Sequence, residues 1–178
     1  MAQINYHFLP LSTFILGPQK GVLEVFMSEA MKRLEFLIGK WRGKAEGQFG
    51  EKGIINSAFE CLHEPSEMFI AMIGESRSNG KQVNKSASYL TWDPNVNKYV
   101  RKSMFSYGWI NNEVGDLRGD RLAFRVISMD GEPDYFKGLK WRSFIHKYSE
   151  NEIGTGLEVS KQGEPFRSYG ESKARRVQ

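Results

Sequence analysis

The residues with the most chemistry in this sequence lie between Trp141 and Tyr148. If this segment is a β-strand, alternate side chains share a face. One face then carries Arg142, Phe144, His146 and Tyr148. Aromatic walls with a few polar groups are typical of ligand cavities, and an arginine there would bind a carboxylate or phosphate in bidentate fashion. The alternative is that this face lies in solvent while Trp141 and Ile145 point inward, and strand alternation alone does not decide between the two.

Catalytic and metal-binding patterns are missing from the sequence. It has no Gly-x-Ser-x-Gly motif, no Walker or dinucleotide-binding glycine loop, and no His-x-x-x-His or Cys-x-x-Cys spacing. The histidines, His7, His63 and His146, are scattered along the chain. Cys61 and His63 would share a strand face but lie about 7 Å apart, too far for a hydrogen bond. The sequence therefore predicts no catalytic residue and no metal, and it favours a binding protein while leaving an enzyme open.

The composition is that of an ordinary globular protein. The chain has 178 residues, of which 40% are hydrophobic and 26% charged, and its formal net charge of +4 is too mild to imply a nucleic-acid partner. Its one cysteine, Cys61, cannot form an intramolecular disulfide, which favours a reducing, cytoplasmic location. No apolar run reaches the roughly 18 residues of a membrane span. Residues 173–176 are basic, and we interpret them as a solvated chain end.

We expect residues 1–26 to be an N-terminal extension and residues 27–178 to form a single domain. Residues 8–16 are apolar, but no basic residue precedes them and Pro10 interrupts them, unlike the pattern of a secretory signal. The motifs described below follow one another in order only after Met27. Met27 is therefore a candidate for the natural start of the chain.

A helix followed by many strands is the predicted organisation. Apolar residues recur at three- and four-residue spacing over residues 22–38, which predicts an amphipathic helix ending at a Gly39 cap. From Trp41 onward the period is two, and glycine-containing turns separate short segments. The predicted strands cover residues 41–49, 54–62, 68–75, 86–92, 99–106, 109–114, 121–128, 141–148, 153–160 and 166–174. The predicted fold class is therefore all-β with one N-terminal helix, as a closed antiparallel up-and-down β-barrel of about eight to ten strands.

Two motifs carry a resemblance to a known family. The first is the end of the predicted helix at residues 34–38, which runs directly into Gly39-Lys40-Trp41-Arg42-Gly43. The second is the hairpin over residues 92–99, with Asp-Pro-Asn at its turn. Together they resemble the calycin superfamily, and most of all an uncharacterised prokaryotic lipocalin-like family and the nitrobindin family. Glycines beside Trp41 permit a tight turn, and its indole can plug one end of a barrel, so we interpret Gly39, Trp41 and Gly43 as structural, barrel-closing residues.

The resemblance implies two kinds of ligand. Fatty-acid-binding barrels hold a carboxylate with an internal arginine, for which Arg101 and Arg125 are candidates, and Tyr89 is a candidate wall residue. Nitrobindins hold haem through a histidine near the C-terminus and carry nitrogen-oxide chemistry of the peroxynitrite-isomerase type. The corresponding strand here has no histidine, and Tyr169 is its one residue able to ligate iron.

The predicted function is the binding of a small hydrophobic or amphipathic molecule inside the barrel, with an acidic head group as one option. The 12 Phe, 7 Tyr and 4 Trp residues supply ample aromatic surface for such a cavity. No cofactor is predicted, and haem with isomerase chemistry is the less favoured alternative. A further alternative is a nucleic-acid or protein adaptor that uses the barrel exterior, and the sequence leaves a homodimer open.

Overall fold

A computed structural model of the protein describes residues 28–47, 55–63, 68–132 and 134–177. These residues form ten antiparallel strands that close into one barrel, in which each strand pairs with its neighbours in the chain and the last pairs with the first. This confirms the predicted fold class. The strands are β1 (Gly39–Gly47), β2 (Ile55–His63), β3 (Phe69–Ser78), β4 (Lys81–Asp93), β5 (Lys98–Phe105), β6 (Ile110–Arg118), β7 (Arg121–Asp130), β8 (Leu139–Ser149), β9 (Glu152–Lys161) and β10 (Arg167–Val177).

The hairpins follow the turn chemistry of the sequence. β3 and β4 are joined by Asn79 and Gly80, which have φ angles of 49° and 77°. Positive φ at both residues of a two-residue turn matches the right-handed twist of the strands, and asparagine followed by glycine adopts it at least cost. β4 runs on from this turn to Asp93, and for that reason it is longer than the predicted strand over residues 86–92.

The N-terminal helix is shorter and less regular than predicted. Helix α1 spans Glu29–Lys32, where the Ser28 hydroxyl accepts a hydrogen bond from the Met31 amide at 3.2 Å, and a 3₁₀ turn follows at Glu35–Leu37. Residues 22–27 of the predicted helix lie outside the described residues. Ile38 is already extended, and Gly39 has φ of +130° as the first residue of β1. This glycine therefore begins the strand and does not cap a helix. No helix in the described ranges has the length and apolar character to cross a membrane.

One end of the barrel is closed by this helical segment. Leu34 and Leu37 are fully buried, and they pack on a core to which nearly every strand contributes. The strand residues of this helix-end core are Trp41, Cys61, Ile70, Leu90, Tyr99, Leu122, Phe124, Ile145, Ile153 and Ala174. The Tyr99 hydroxyl donates to the Ala30 carbonyl at 2.7 Å, which ties the helix to the opposite wall. Burial raises the pKa of the Cys61 thiol to about 12, so this residue is an inert part of the core.

At Gly43 on β1, the backbone of β10 leaves no room for a side chain. A Cβ atom at Gly43 would lie 2.3 Å from the Lys173 carbonyl oxygen and 2.9 Å from the Ala174 Cα atom. Both obstacles are backbone, so the strands would have to separate. We expect Gly43→Ala to lower the free energy of unfolding by about 1–3 kcal/mol, as overpacked sites do. Urea denaturation measures this, with Lys44→Ala at the next, exposed position as a control that should shift stability by less than about 0.5 kcal/mol.

Candidate ligand-binding site inside the barrel

The strand register fixes which side chains point into the barrel. Residues directly opposite each other on paired antiparallel strands share a face. Trp141 is opposite Val159, and Ile145 is opposite Thr155 and Leu122. Trp141 and Ile145 belong to buried clusters, which identifies their face as the inner one. The inward positions of β8 are therefore Leu139, Trp141, Ser143, Ile145 and Lys147.

The face of β8 expected to line a cavity points outward instead. Arg142 pairs with Glu158 and stacks on the Phe166 ring at 4.1 Å. The Phe144 ring covers Gly156, where a Cβ atom would meet it at 2.3 Å, and Tyr148 covers Gly154 in the same way. The His146 ring lies edge-on to Tyr148 at 4.6 Å. These four side chains are brought together, but on the barrel exterior, because hydrophobic Trp141 and Ile145 take the inner positions.

A buried ion pair lies halfway along the barrel interior. Arg101 on β5 is directly opposite Glu113 on β6. Its Nε donates to Oε2 of Glu113 at 2.7 Å and its Nη2 to Oε1 at 2.8 Å, a bidentate arrangement. The side chains are 12% and 2% exposed, respectively. The guanidinium also lies 4.2 Å from the centre of the Phe124 ring, on the edge of the helix-end core.

Three serines complete this interior polar belt, which consists of Arg101, Glu113, Ser88, Ser103 and Ser143. Ser143 and Ser103 donate to the Glu113 carboxylate at 3.0 and 3.2 Å, and Ser88 donates to Ser103 at 2.9 Å. Burial by itself would raise the pKa of Glu113, but the charge of Arg101 and hydrogen bonds from Arg101, Ser143 and Ser103 outweigh it and hold that pKa below its ordinary value. The carboxylate is therefore ionised, and the pair is electrically neutral as a whole.

Beyond the polar belt, the end of the barrel away from the helix carries a cluster of aromatic and aliphatic side chains. This distal cluster consists of Trp109, Val126, Met129, Phe136, Leu139, Trp141, Leu157, Val159 and Tyr169. Phe136, from a 3₁₀ turn at Asp134–Phe136 between β7 and β8, contacts the Trp141 ring at 4.4 Å and the Trp109 ring at 5.1 Å. Tyr169 packs edge-on against Trp141 at 5.2 Å. Trp141 is thus the centre of an aromatic surface built by three separate parts of the chain.

The opposite wall of the barrel carries smaller side chains. Inward positions there include Ala45 on β1, Gly74 on β3, Ser86 and Ser88 on β4, and Ser172 on β10. Met72, Ser88 and Leu157 face inward yet are only partly buried, whereas Ile70 and Leu90 nearer the helix are fully buried. The partly accessible inward positions are therefore on strands β3, β4 and β9, away from the fully buried helix-end core.

The remaining predicted site residues lie in three different places. Arg101 and Tyr169 face the interior, whereas Arg125 is exposed on the outside. Tyr89 is also outside, where it is 47% exposed and packs edge-on against Phe69. At the helix end, the Trp41 indole donates to the Leu37 carbonyl at 2.8 Å. Of the predicted site residues, Arg101 is thus the charged one that faces the interior, and the structure adds its partner Glu113.

The basic residues 173–176 are part of β10 and are not a free chain end. Arg176 points inward, donates hydrogen bonds to the carbonyls of Ile38 and Phe36, and stacks on Trp41 at 4.4 Å. Lys173 and Arg175 point outward, directly opposite Lys44 and Arg42. They line an outer groove of about 960 Å³ that also contains Glu75, Glu152 and Glu171. The groove carries both signs of charge.

Sequence reasoning missed Glu113 and Trp109. Both lie in the predicted strand over residues 109–114, of which Glu113 is part of β6 while Trp109 immediately precedes it, and neither follows a recognised motif. The usable signal was the hairpin register: counting back equally from the turn between β5 and β6 places Arg101 opposite Glu113. A charged pair at directly opposed positions is a mark of a cross-strand ion pair.

Solved structures of similar fold are known. Rv2717c from M. tuberculosis matches with a TM-score of 0.65 and 16% identity, over 86% of this chain and 100% of that one. The S-type phycobiliprotein lyase CPES from Guillardia theta matches with a TM-score of 0.56 and 14% identity, over 90% of this chain and 99% of that one. The likeness is one of fold. These neighbours are calycin-like β-barrels; no protein-family model matches the chain, and no curated protein is significantly similar to it.

The polar belt and the distal cluster are a poor match to haem. Neither of these two groups of residues contains a histidine, and His146 points outward. Tyr169, the one iron ligand that the last strand offers, has its ring against Trp141. Tyrosinate would have to leave this packed position to bind iron. We therefore derive no haem chemistry for this interior.

Proposed function

We propose that the protein binds a small hydrophobic or amphipathic molecule inside its barrel. The observation that carries the proposal is the two-part lining of the interior, with an aromatic surface around Trp141 and a polar belt around Arg101 and Glu113. Ligand sites of small molecules combine mostly apolar walls with a few fixed polar groups. Partial accessibility of inward-facing Met72, Ser88 and Leu157 supports space between the walls.

The polar belt argues against a carboxylate ligand bound at Arg101. Glu113 already occupies the Nε and Nη2 donors of Arg101 in bidentate geometry. An acidic ligand would have to displace a buried carboxylate or bring a second negative charge beside it, and uncompensated buried charge is costly. We therefore favour an uncharged or weakly polar molecule over a fatty acid held by its head group.

The likeness of fold supports a role for the interior without naming a ligand. One of the similar structures is a phycobiliprotein lyase by name, and its barrel covers nearly the whole of this chain. Barrels of this type enclose one small molecule in their interior. Because the identity is only 14%, the chemistry of that protein is not carried over.

Two neighbouring residues of β3 provide a matched test. Met72 points inward, while Ile73 is 57% exposed on the outer face. We expect Met72→Trp to fill the interior and weaken binding of two uncharged probes, retinol and N-phenyl-1-naphthylamine, at least about tenfold, a change of about 1.4 kcal/mol. Ile73→Trp adds the same side chain outside and should leave both affinities unchanged. Fluorescence titration gives the affinities, and circular dichroism verifies folding.

Native mass spectrometry of gently purified protein supplies an independent measurement. A co-purified small molecule, lost from the Met72→Trp variant and kept by Ile73→Trp, is the expected result. The proposal fails if the wild type neither carries a ligand nor takes up retinol, palmitate or the naphthalene probe. It also fails if Met72→Trp and Ile73→Trp bind equally well.

A further inference from the structure

We infer that the distal cluster is the recognition site for a flat, uncharged, conjugated molecule that carries a carbonyl-type hydrogen-bond acceptor. This inference rests on the proposed function and specifies its ligand class. Three buried polar atoms in and beside the distal cluster carry it. They are Nε1 of Trp141, Nε1 of Trp109 and Oδ1 of Asn111, and none has a hydrogen-bond partner among the described residues.

Trp141 provides the most informative of these atoms. Its side chain is 5% exposed, so its indole N–H has given up water without gaining a protein acceptor. Leaving a buried donor unpaired is unfavourable by an amount comparable to a lost hydrogen bond. At the helix end, by contrast, the Trp41 indole finds the Leu37 carbonyl at 2.8 Å. Among the described residues, the buried indole N–H groups without a partner are thus those of Trp109 and Trp141, both in the distal cluster; the remaining buried nitrogen without a partner, Nδ1 of His146, lies on the outer face.

The three atoms belong to one region of the interior. Trp109 and Trp141 both contact the Phe136 ring. Asn111 lies two residues after Trp109, opposite Ser103 and Met129 on the inner face. Two donors and one acceptor are thus supplied by β8, by β6 and by the residue that precedes β6. A carbonyl oxygen has two lone pairs and can accept from both indoles, while an N–H or O–H group on the same ligand can donate to Asn111.

The surroundings select for shape and charge as well. Phe105, Trp109, Phe136, Trp141 and Tyr169 form an unbroken chain of ring contacts with centroid separations from 4.4 to 5.7 Å. Such a surface favours a flat aromatic partner that can stack or pack edge-on. The side chains of the distal cluster are uncharged. The two charges of the polar belt, on Arg101 and Glu113, neutralise each other, so this pair offers no free charge to an ionic ligand.

Acridone and anthracene make a matched pair of probes. Both are flat, uncharged three-ring molecules, but only acridone has a carbonyl acceptor and an N–H donor. We expect acridone to bind at least about tenfold more tightly than anthracene, the effect of one or two well-made hydrogen bonds. Trp141→Phe and Trp109→Phe keep an aromatic ring and remove the donor; each should weaken acridone binding about tenfold and leave anthracene binding within twofold. Trp92→Phe, which is near the helix end, is the control and should change neither.

A second measurement needs no variant and so does not depend on how the variants fold. In ¹⁵N-labelled protein, the indole N–H signals of Trp109 and Trp141 should move downfield with acridone and not with anthracene, while those of Trp41 and Trp92 stay in place. Equal affinity for the two probes with unmoved indole signals would overturn the inference and leave the proposed function standing. Binding of retinol or palmitate without acridone would do the same. No uptake of any of these molecules would end the proposed function itself.

Discussion

Replacing Trp41 with alanine is expected to lower the free energy of unfolding by about 3–5 kcal/mol, the range for deleting a large buried aromatic side chain. Trp41 is 1% exposed, stacks near Phe59 at 6.3 Å and lies under the Arg176 guanidinium. Its indole N–H satisfies the Leu37 carbonyl at the end of the 3₁₀ turn. One side chain therefore joins the helical segment to both strands of the barrel seam.

Chemical denaturation of three variants separates these contributions. Trp41→Phe keeps a ring and loses the hydrogen bond to Leu37, so it should lie between wild type and alanine, at about 1–2 kcal/mol. Val96→Ala, at an exposed turn position, is the control and should change stability by less than about 0.5 kcal/mol. A Trp41→Ala variant as stable as the Val96→Ala control would contradict the structural role assigned to the indole.

The second large effect is expected from breaking the interior ion pair on one side. Glu113→Leu leaves the buried Arg101 guanidinium without a counter-charge and should cost about 3–5 kcal/mol. The double variant Arg101→Met, Glu113→Leu removes both charges and should recover most of that loss, because well-packed apolar residues replace buried pairs at little or no cost. The matched control is the exposed Lys98–Asp116 pair, joined at 2.6 Å, where Asp116→Leu should cost less than about 1 kcal/mol.

The same pair predicts a dependence of stability on pH. Because the pKa of Glu113 is lower in the folded protein than its ordinary value of 4.5, the stability it contributes is complete above that pH. It is lost as the pH falls below 4.5 toward the lowered pKa, since the unfolded chain then binds the proton first. Between pH 7 and pH 3, the free energy of unfolding should therefore fall more steeply for wild type than for the double variant, as measured by urea denaturation at each pH. An equal fall for both proteins would contradict the lowered pKa of Glu113.

The fold was predictable from the sequence because its signals are local. A period of two and turns such as Asn79-Gly80 act within a few residues, and both survive into the structure. The regular helix was overestimated because tertiary contacts break it: Leu34 and Leu37 must both enter the core, and the Leu37 carbonyl must meet Trp41. A 3₁₀ turn accomplishes this, and an apolar pattern does not distinguish it from an α-helix.

The interior was only partly predictable because residues far away in the sequence decide which side chains of a strand point into the barrel. Both faces of β8 mix aromatic or aliphatic side chains with polar ones, so the choice was made by Val159 and Leu122 on neighbouring strands and not by β8 itself. Gly154 and Gly156 favour the same orientation, because the absence of a side chain at each leaves space on the outer face for Tyr148 and Phe144. Arg101 was suspected, but its neutralisation by Glu113 follows only from the pairing of β5 with β6.

The seam between β1 and β10 has a consequence for how the chain is made. Lys40 lies opposite Val177, and Arg176 reaches back to the carbonyls of Phe36 and Ile38. During translation, the first strand emerges from the ribosome long before its partner is synthesised. The hydrogen-bonding edge of β1 therefore waits, unpaired, until β10 arrives, and the helical segment gains its last anchor only then. An edge exposed for that long is the part of the nascent chain with most to gain from a chaperone.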